Sequence, residues 1–365
     1  MAVDPAPKPR VIPERRFPSP FENFLSPHPK LVVAARSLAR IACNPTGQDI
    51  VFVVGPTGVG KDALLDYTAL ILRESFASEM QANSHMQPSI TVLLRSVPSQ
   101  GFKWGVYYQA ALRAAKADLR LKMHLPPWRI EESGADRYGT AYFDMLKAVD
   151  ARLVMANEGA ELAKVGSDRM LFRNVDQFKI LTEASGIPHA IVGEYRVLGL
   201  VNINGQQSRR TTVIHFQRYG ESAEDVLFFT KAVRRFTAIL GRSARVDVDS
   251  CIEFMRERSV GCIGIVCNWL HKAFVEAVKS GLILDCSVIH KTAPSAQQAA
   301  LWRDEALMGE ALYAHLFGSD VDPRPTEHLI DAVTGRFPKK VPMEISVRAL
   351  GEMMDRIRRE ASRGH

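Results

Sequence analysis

Apolar positions change their period along this chain, and the changes mark its elements. "LVVAARSLARIACNP" places Leu31, Ala35, Leu38 and Ile41 at helical spacing and stops at Asn44-Pro45, which predicts a first helix. "DIVFVVG" is a continuous β-branched run closed by glycine, the pattern of a parallel strand buried on both faces. "DALLDYTALILRESFASEM" returns to helical spacing. "SITVLLRSV" then reads as a strand, "WGVYYQAALRAAKADLRL" and "RYGTAYFDMLKAVDA" as helices, and "RLVMA" as a short strand. "VDQFKILTEASG" predicts a helix, with "IPHAIVG" and "TTVIHF" as the last strands. Strand-helix alternation of this kind implies a doubly wound, mostly parallel α/β sheet flanked by helices.

From about Ser222 the pattern is almost wholly helical. "AEDVLFFTKAVRRFTAIL" is one helix and "CIGIVCNWLHKAFVEAVKSG" another, with Ile263, Val266, Leu270, Phe274 and Ala277 on one stripe. The first thirty residues are too rich in proline for helix or strand and read as an extended arm. The expected organisation is an arm (1–30), an α/β domain (31–220), a small helical lid domain (221–318), and a linker with a basic amphipathic tail (319–365).

Composition changes this picture little. The 365 residues are 46% hydrophobic and 24% charged, with a formal net charge of +7, a surplus that permits contact with nucleic acid without demanding it. Five cysteines without C-x-x-C spacing argue against a zinc site and a disulfide framework. No signal peptide or membrane-length apolar run is legible, so the expectation is a soluble, cytoplasmic protein with no membrane partner.

The strongest chemical signal is "GPTGVGKDA" between the first buried strand and its helix. A loop of Gly55, Pro56, Thr57, Gly58, Val59, Gly60 and Lys61, opening a helix at Asp62 and Ala63, has the spacing of a phosphate-binding loop. Backbone N–H groups from Thr57 to Lys61 would surround phosphates, the helix N-terminus would add positive potential, and Lys61 would supply a mobile charge. The usual pattern ends in Ser or Thr; this one ends in Asp62.

A site of this kind also needs an acidic pair at the end of a neighbouring strand. "RLVMANEGAEL" offers Asn157-Glu158, with Glu158 where a water-activating base belongs and Asn157 in place of the metal-side carboxylate. Asp144 falls inside a helical pattern, and Asp285 in "LILDC" falls after the helical region begins, so neither competes. Two readings stay open. In a compensated swap, Asp62 ligates Mg²⁺ while Asn157 hydrogen-bonds to it or to a coordinated water. Otherwise the chain is a pseudo-ATPase that binds nucleotide and turns it over feebly.

The order of these parts resembles the TniB/TnsC-type AAA+ ATPases of bacterial transposons. The resemblance covers about Pro29 to Gly318. It is carried by "FVVGPTGVGK", "LLRSVPSQGFKWGVYYQAAL", "LVMANEGAEL", "VDQFKILTEASGIPHAIVG", "GQQSRRTTVIHF" and "VGCIGIVCNWLHKAFVEAVKSG". It implies an AAA+ P-loop fold with a helical lid and ATP with Mg²⁺ as ligands. It also implies self-assembly as a ring or filament on double-stranded DNA, and a transposase or target-selector protein as partner. By the same resemblance Gly55 to Lys61 bind phosphate, Glu158 polarises water, and Arg209 or Arg210 reaches an adjacent subunit's site as an arginine finger. Glu194 stands where family members carry a polar sensor residue, and "GCIGIV" lacks the second-sensor arginine.

A DNA-binding face would need basic residues along one side. Lys103, Arg113, Lys116 and Arg120 supply a stripe suited to phosphate contacts, and Arg348, Arg356, Arg358, Arg359 and Arg363 supply a second in the tail. Either stripe is equally consistent with a solubilising face. The arm and tail suit docking on protein partners. The competing function is a nucleotide-binding scaffold of a mobile-element or defence system. A P-loop kinase or metabolic NTPase is disfavoured by the helical region and the absence of an acceptor site.

Overall fold

Strand β1 (Ile50–Val54) is buried at every position and lies between β6 (His189–Gly193) and β7 (Thr211–His215), parallel to both. The computed structural model describes residues 21, 24–46, 50–97, 101–118, 135–163, 168–201 and 211–318. Beyond β6 the sheet continues through β5 (Leu153–Asn157) to β2 (Ser89–Leu93), giving the order β2-β5-β6-β1-β7. A strand sends successive side chains to opposite faces, so a wholly apolar strand must be covered twice. Ile50, Phe52 and Val54 enter one core with Ile90, Val92 and Val154. Val51 and Val53 enter the other with Leu153, Met155 and Val192.

The second core is closed by α1 (Pro29–Cys43) and α2 (Lys61–Ser75), and the first by α4 (Trp104–Asp118), α5 (Ala135–Ala148) and α6 (Asp168–Ser185). Helix α1 opens with Pro29 at its start and with His28 Nδ1 accepting from the Leu31 backbone N–H. Residues read as the end of an extended arm are thus part of the packed body: Ser26, His28 and Lys30 are buried. Lys30 accepts this because it pairs with Asp225 at 2.8 Å and donates to the Arg218 carbonyl at 2.7 Å. The helix expected from Asp62 onward breaks at Phe76, whose ring packs on the core, and resumes as α3 (Ala77–Ala82). The strand expected over "SITVLLRSV" ends at Leu93. Its remainder, β3 (Ser96–Val97), pairs antiparallel with β4 (Gly101–Phe102) because Ser96 is drawn aside by Glu161 Oε2, to which both its N–H (3.0 Å) and its hydroxyl (2.6 Å) donate. A one-turn α7 (Leu198–Val201) follows β6.

After the sheet, α8 (Ala223–Ala238), α9 (Val248–Ser259), α10 (Ile263–Lys279) and α11 (Cys286–Lys291) build a separate core around Phe229, Met255, Val266 and Leu270. Then α12 (Ala296–Phe317) does something the sequence did not announce. It begins at a capping box between Ser295 and Gln298, and inserts Leu312, Tyr313 and Leu316 into the first sheet core. Among the described residues no helix is long and apolar enough to cross a membrane.

Candidate functional site

The loop from Gly55 to Gly60 needs glycine for two physical reasons. Gly58 and Gly60 have φ of 74° and 110°, values that side-chain-bearing residues avoid, and Gly60 caps α2 in this left-handed conformation. Gly58 also admits a neighbour: a methyl group there would lie 2.4 Å from Ile265 Cγ1. The reciprocal approach is made by Gly264, whose absent side chain would stand 2.6 Å from the Gly58 carbonyl oxygen. The Ile265 N–H donates to that carbonyl at 3.1 Å, so the first turn of α10 is fastened to the loop. No arginine occupies this turn; Ile263, Gly264, Cys267 and Asn268 face the cleft instead.

That cleft has a volume of about 360 Å³ and runs from the loop to an apolar end formed by Phe24, Leu25, Leu31 and Phe236. Ser26 also lines it, and its hydroxyl is buried without a hydrogen-bond partner among the described residues. An apolar end with one orphaned hydroxyl, opposite a glycine-rich loop that opens a helix, has the chemistry of a site for a base joined to phosphates. His28 stands beside it as a neutral imidazole, its pKa lowered to about 3 by burial and by nearby Lys30 and Arg235.

Lys61 donates to the Gly55 and Pro56 carbonyls at 3.1 and 3.0 Å. Burial lowers its pKa, while the carboxylates of Glu194, Glu305 and Glu158 favour the ammonium form. Asp62 and Asn157 come from different elements, the start of α2 after β1 and the end of β5, and β6 separates those two strands in the sheet. Even so, Asn157 Nδ2 donates to Asp62 Oδ1 at 2.7 Å. Its Oδ1 accepts from the Glu158 N–H at 2.9 Å, which fixes the amide with its nitrogen towards the carboxylate. Glu158 itself is exposed with φ of 63°, a left-handed conformation that costs a non-glycine residue about 1–3 kcal/mol and commonly marks a functional turn. One turn along α2, burial and the charge of Asp62 raise the pKa of Asp66.

Asp62 suits Mg²⁺: the ion favours one or two carboxylates together with water and phosphate oxygens, and Asn157 holds this carboxylate without neutralising it. The residues present therefore fit the ion. Its chemistry would be to screen the phosphate charge beside Asp62.

Thr57 is bound in a way that no sequence pattern signals. Its hydroxyl lies 3.0 Å from Glu194 Oε1 and 2.7 Å from Glu305 Oε1, and its N–H donates to Glu305 Oε1 at 3.3 Å. Glu194 follows β6; Glu305 comes from α12. The capping box of α12 was detectable, but nothing local to Glu305 points to a loop so distant in the chain.

The basic stripe is only partly described. Lys103 and Arg113 are exposed, the first just before α4 and the second on it. Lys116 belongs to α4 without a described side chain, and Arg120, Arg209, Arg210 and the tail arginines lie outside the described residues. Asp144 is exposed on α5, while Asp285 caps α11 by accepting from the Val288 N–H, so both have structural explanations. His189 is also internal: it is fully buried in β6, bound to the Tyr142 hydroxyl at 2.8 Å.

No family model matches the sequence, and no curated protein matches it. Among solved structures, the ORC2 protein of Aeropyrum pernix, solved in ADPNP–ADP complexes, is 15% identical. The match covers 93% of this chain and 97% of that one, with a TM-score of 0.52. A Walker-type ATPase of Pyrococcus abyssi is 13% identical over 88% of this chain and 92% of its own, with a TM-score of 0.46. The RuvB branch-migration motor of Thermotoga maritima is 14% identical over 75% and 71%, with a TM-score of 0.38. The ORC2 likeness establishes the fold and nothing finer; the other two carry no argument of their own. The shared fold is a parallel α/β sheet flanked by helices and followed by a helical region.

Proposed function

We propose that this chain is an ATP-binding regulator of DNA transposition. On this reading it assembles as a ring or filament on double-stranded DNA and recruits or activates a transposase or target-selector protein. The observation that carries nucleotide binding is the loop itself: left-handed Gly58 and Gly60, Lys61 at the start of α2, and a cleft with an apolar far end. The step to transposition rests on the TniB/TnsC-like order of sequence segments, from "FVVGPTGVGK" to "VGCIGIVCNWLHKAFVEAVKSG".

The roles at the loop follow from its chemistry, and that of the arginine pair from the family resemblance. Backbone donors of Gly58, Gly60 and Lys61 bind and orient the phosphates, the Thr57 N–H being given to Glu305 and the Val59 N–H to the Pro56 carbonyl; Asp62 with Asn157 holds Mg²⁺, and Glu158 orients and deprotonates the attacking water. Arg209 or Arg210 would stabilise phosphoryl charge across a subunit boundary, which makes turnover depend on assembly. Lys103, Arg113, Lys116 and Arg120 would meet DNA phosphates without reading bases.

A second reading, a nucleotide-ordered scaffold with little hydrolysis, is favoured by the Asp62–Asn157 hydrogen bond and by the acidic surroundings of Lys61. Imaging the full chain with duplex DNA in ATP, in ADP and without nucleotide tests the proposal. Rings or filaments confined to ATP with DNA are expected; assembly that ignores both would overturn it. Phosphate release in the same samples separates the active ATPase from the scaffold.

A further inference from the structure

We infer that Glu305 discriminates between nucleoside diphosphate and triphosphate. With α12 docked, its carboxylate occupies the Thr57 end of the phosphate loop and the site takes a diphosphate; a triphosphate enters only as the first half of α12 withdraws. This rests on the reading that the loop binds nucleotide phosphates.

The argument begins at Thr57. Phosphates held at the N-terminus of α2 by Gly60 and Lys61 would extend their terminal group towards Thr57 in the loop and towards Glu158 and Glu194 past the ends of β5 and β6, which line the cleft. Glu305 approaches Thr57 from α12 and takes both of its donors, the hydroxyl at 2.7 Å and the N–H at 3.3 Å. A hydroxyl has one proton, so Glu305 and Glu194 cannot both receive it, and Glu194 Oε1 also lies 3.0 Å away. Two carboxylates therefore converge on one donor. The guanidinium of Arg196 is 3.9 Å from Glu194 but points into solvent with 77% exposure, and screens it little. Glu194, Glu305 and Glu158 are close enough to Lys61 to favour its ammonium form. A diphosphate leaves this acidic end untouched, whereas a γ-phosphate must share it with Glu305.

The way α12 is held allows such a movement. Its second half is anchored by three contacts: Gly309 under the Tyr195 ring, Glu310 with Arg218 at 2.8 and 3.0 Å, and Tyr313 stacked on His215 at 4.1 Å. Its first half carries exposed Leu301 and is held by the small buried side chains of Ala299 and Ala306, by half-buried Trp302 and by Glu305. A charge at the γ-phosphate position would thus act on the less firmly held half.

The test uses the full chain at fixed Mg²⁺, with ADP and a non-hydrolysable ATP analogue titrated by calorimetry into the parent protein, Glu305→Gln and Glu305→Ala. Expected is a gain on the order of tenfold in affinity for the analogue in both variants, with ADP changed by less than about twofold. In the parent protein the analogue, and not ADP, should shift the emission of Trp302, identified by subtracting the Trp302→Phe signal. Equal gains for the two nucleotides, no gain for either, or an unmoved Trp302 would overturn the discriminator while leaving nucleotide binding intact. If neither nucleotide binds the parent or the variants, the reading of the loop as a nucleotide site fails first. Circular dichroism matching the parent keeps a folding defect from passing as a result.

Discussion

Asn157 and Asp62, 95 residues apart, meet through a hydrogen bond of 2.7 Å that joins the end of β5 to the first turn of α2. Neither residue is the usual one at its position, and each is intelligible only through the other. Were both carboxylates, two negative charges would face each other at hydrogen-bond distance. As an amide and a carboxylate they keep a single anion beside the phosphate loop, held in place by a donor whose other end is fixed by Glu158.

Because that anion stands beside the phosphates, nucleotide binding should be strongly metal-dependent. Chelating Mg²⁺ is expected to weaken ADP affinity at least about tenfold in the parent protein. Asp62→Ala should show a much smaller difference between Mg²⁺ and chelator. Equal affinities in the parent under both conditions would remove Asp62 from metal binding.

The pair also defines a double-mutant cycle. Asn157→Asp alone should cost roughly tenfold in Mg²⁺-free ADP affinity by setting a second carboxylate against Asp62. Combining it with Asp62→Thr restores the ordinary order of groups and should recover most of the loss. Additive effects in the cycle would mean that the two positions act independently.

Gly264→Ala tests how the lid helix is fastened. Alanine is favoured over glycine in a helix by about 1 kcal/mol, yet here its methyl would stand 2.6 Å from the Gly58 carbonyl. The clash should prevail, because the obstruction is backbone and cannot rotate away. Expected is a loss of about 1–3 kcal/mol in denaturant unfolding, with weaker nucleotide binding.

Stability should fall on mild acidification. Burial lowers the pKa of His189 to about 4 and leaves His28 and His215 at about 3, chiefly by the same desolvation. These groups are neutral when folded and have their ordinary pKa of about 6.5 when unfolded. Their contribution is therefore complete above that value. It is lost as pH falls through about 6 towards 4, at about 1.4 kcal/mol per pH unit for each histidine. Melting temperatures should hold between pH 7.5 and about 6.5 and fall on this slope towards pH 5, and His189→Gln should lessen it by about a third.

Arg209→Ala and Arg210→Ala separate binding from assembly. In dilute protein neither substitution should change ADP affinity. One of them should abolish any phosphate release that rises with protein concentration. If hydrolysis is unchanged in both, a finger role across subunits is excluded.

Much of the scaffold was legible because its cause is local. The run Ile50–Val54 has no polar position, so it could lie only between two helical layers. The glycines before Lys61 could serve only a backbone path closed to other residues. The alternation of segments likewise carried the parallel α/β sheet and the helical second part that the structure displays. The strand ending at Asn157 was readable, and so was the oddity of Asp62; that the two side chains touch was not, since β6 separates their strands in the sheet.

The residues that escaped sequence reading reach the site by tertiary packing. Phe24 to His28 looked like a proline-rich arm, because proline density reports the lack of regular structure and not the lack of burial. Glu305 carries no local signal that ties it to the loop. Its role depends on α12 folding back over the sheet, which follows from Gly309 admitting the Tyr195 ring and from Tyr313 stacking on His215. The sequence by itself determined the five strands of the main sheet, the phosphate loop and the identity of its unusual residues, since periodicity and glycine placement are properties of neighbouring positions. Which carboxylates surround Lys61 was decided only by the tertiary structure, because three of them arrive on the ends of β5, β6 and the middle of α12, and no local rule relates those positions to the loop.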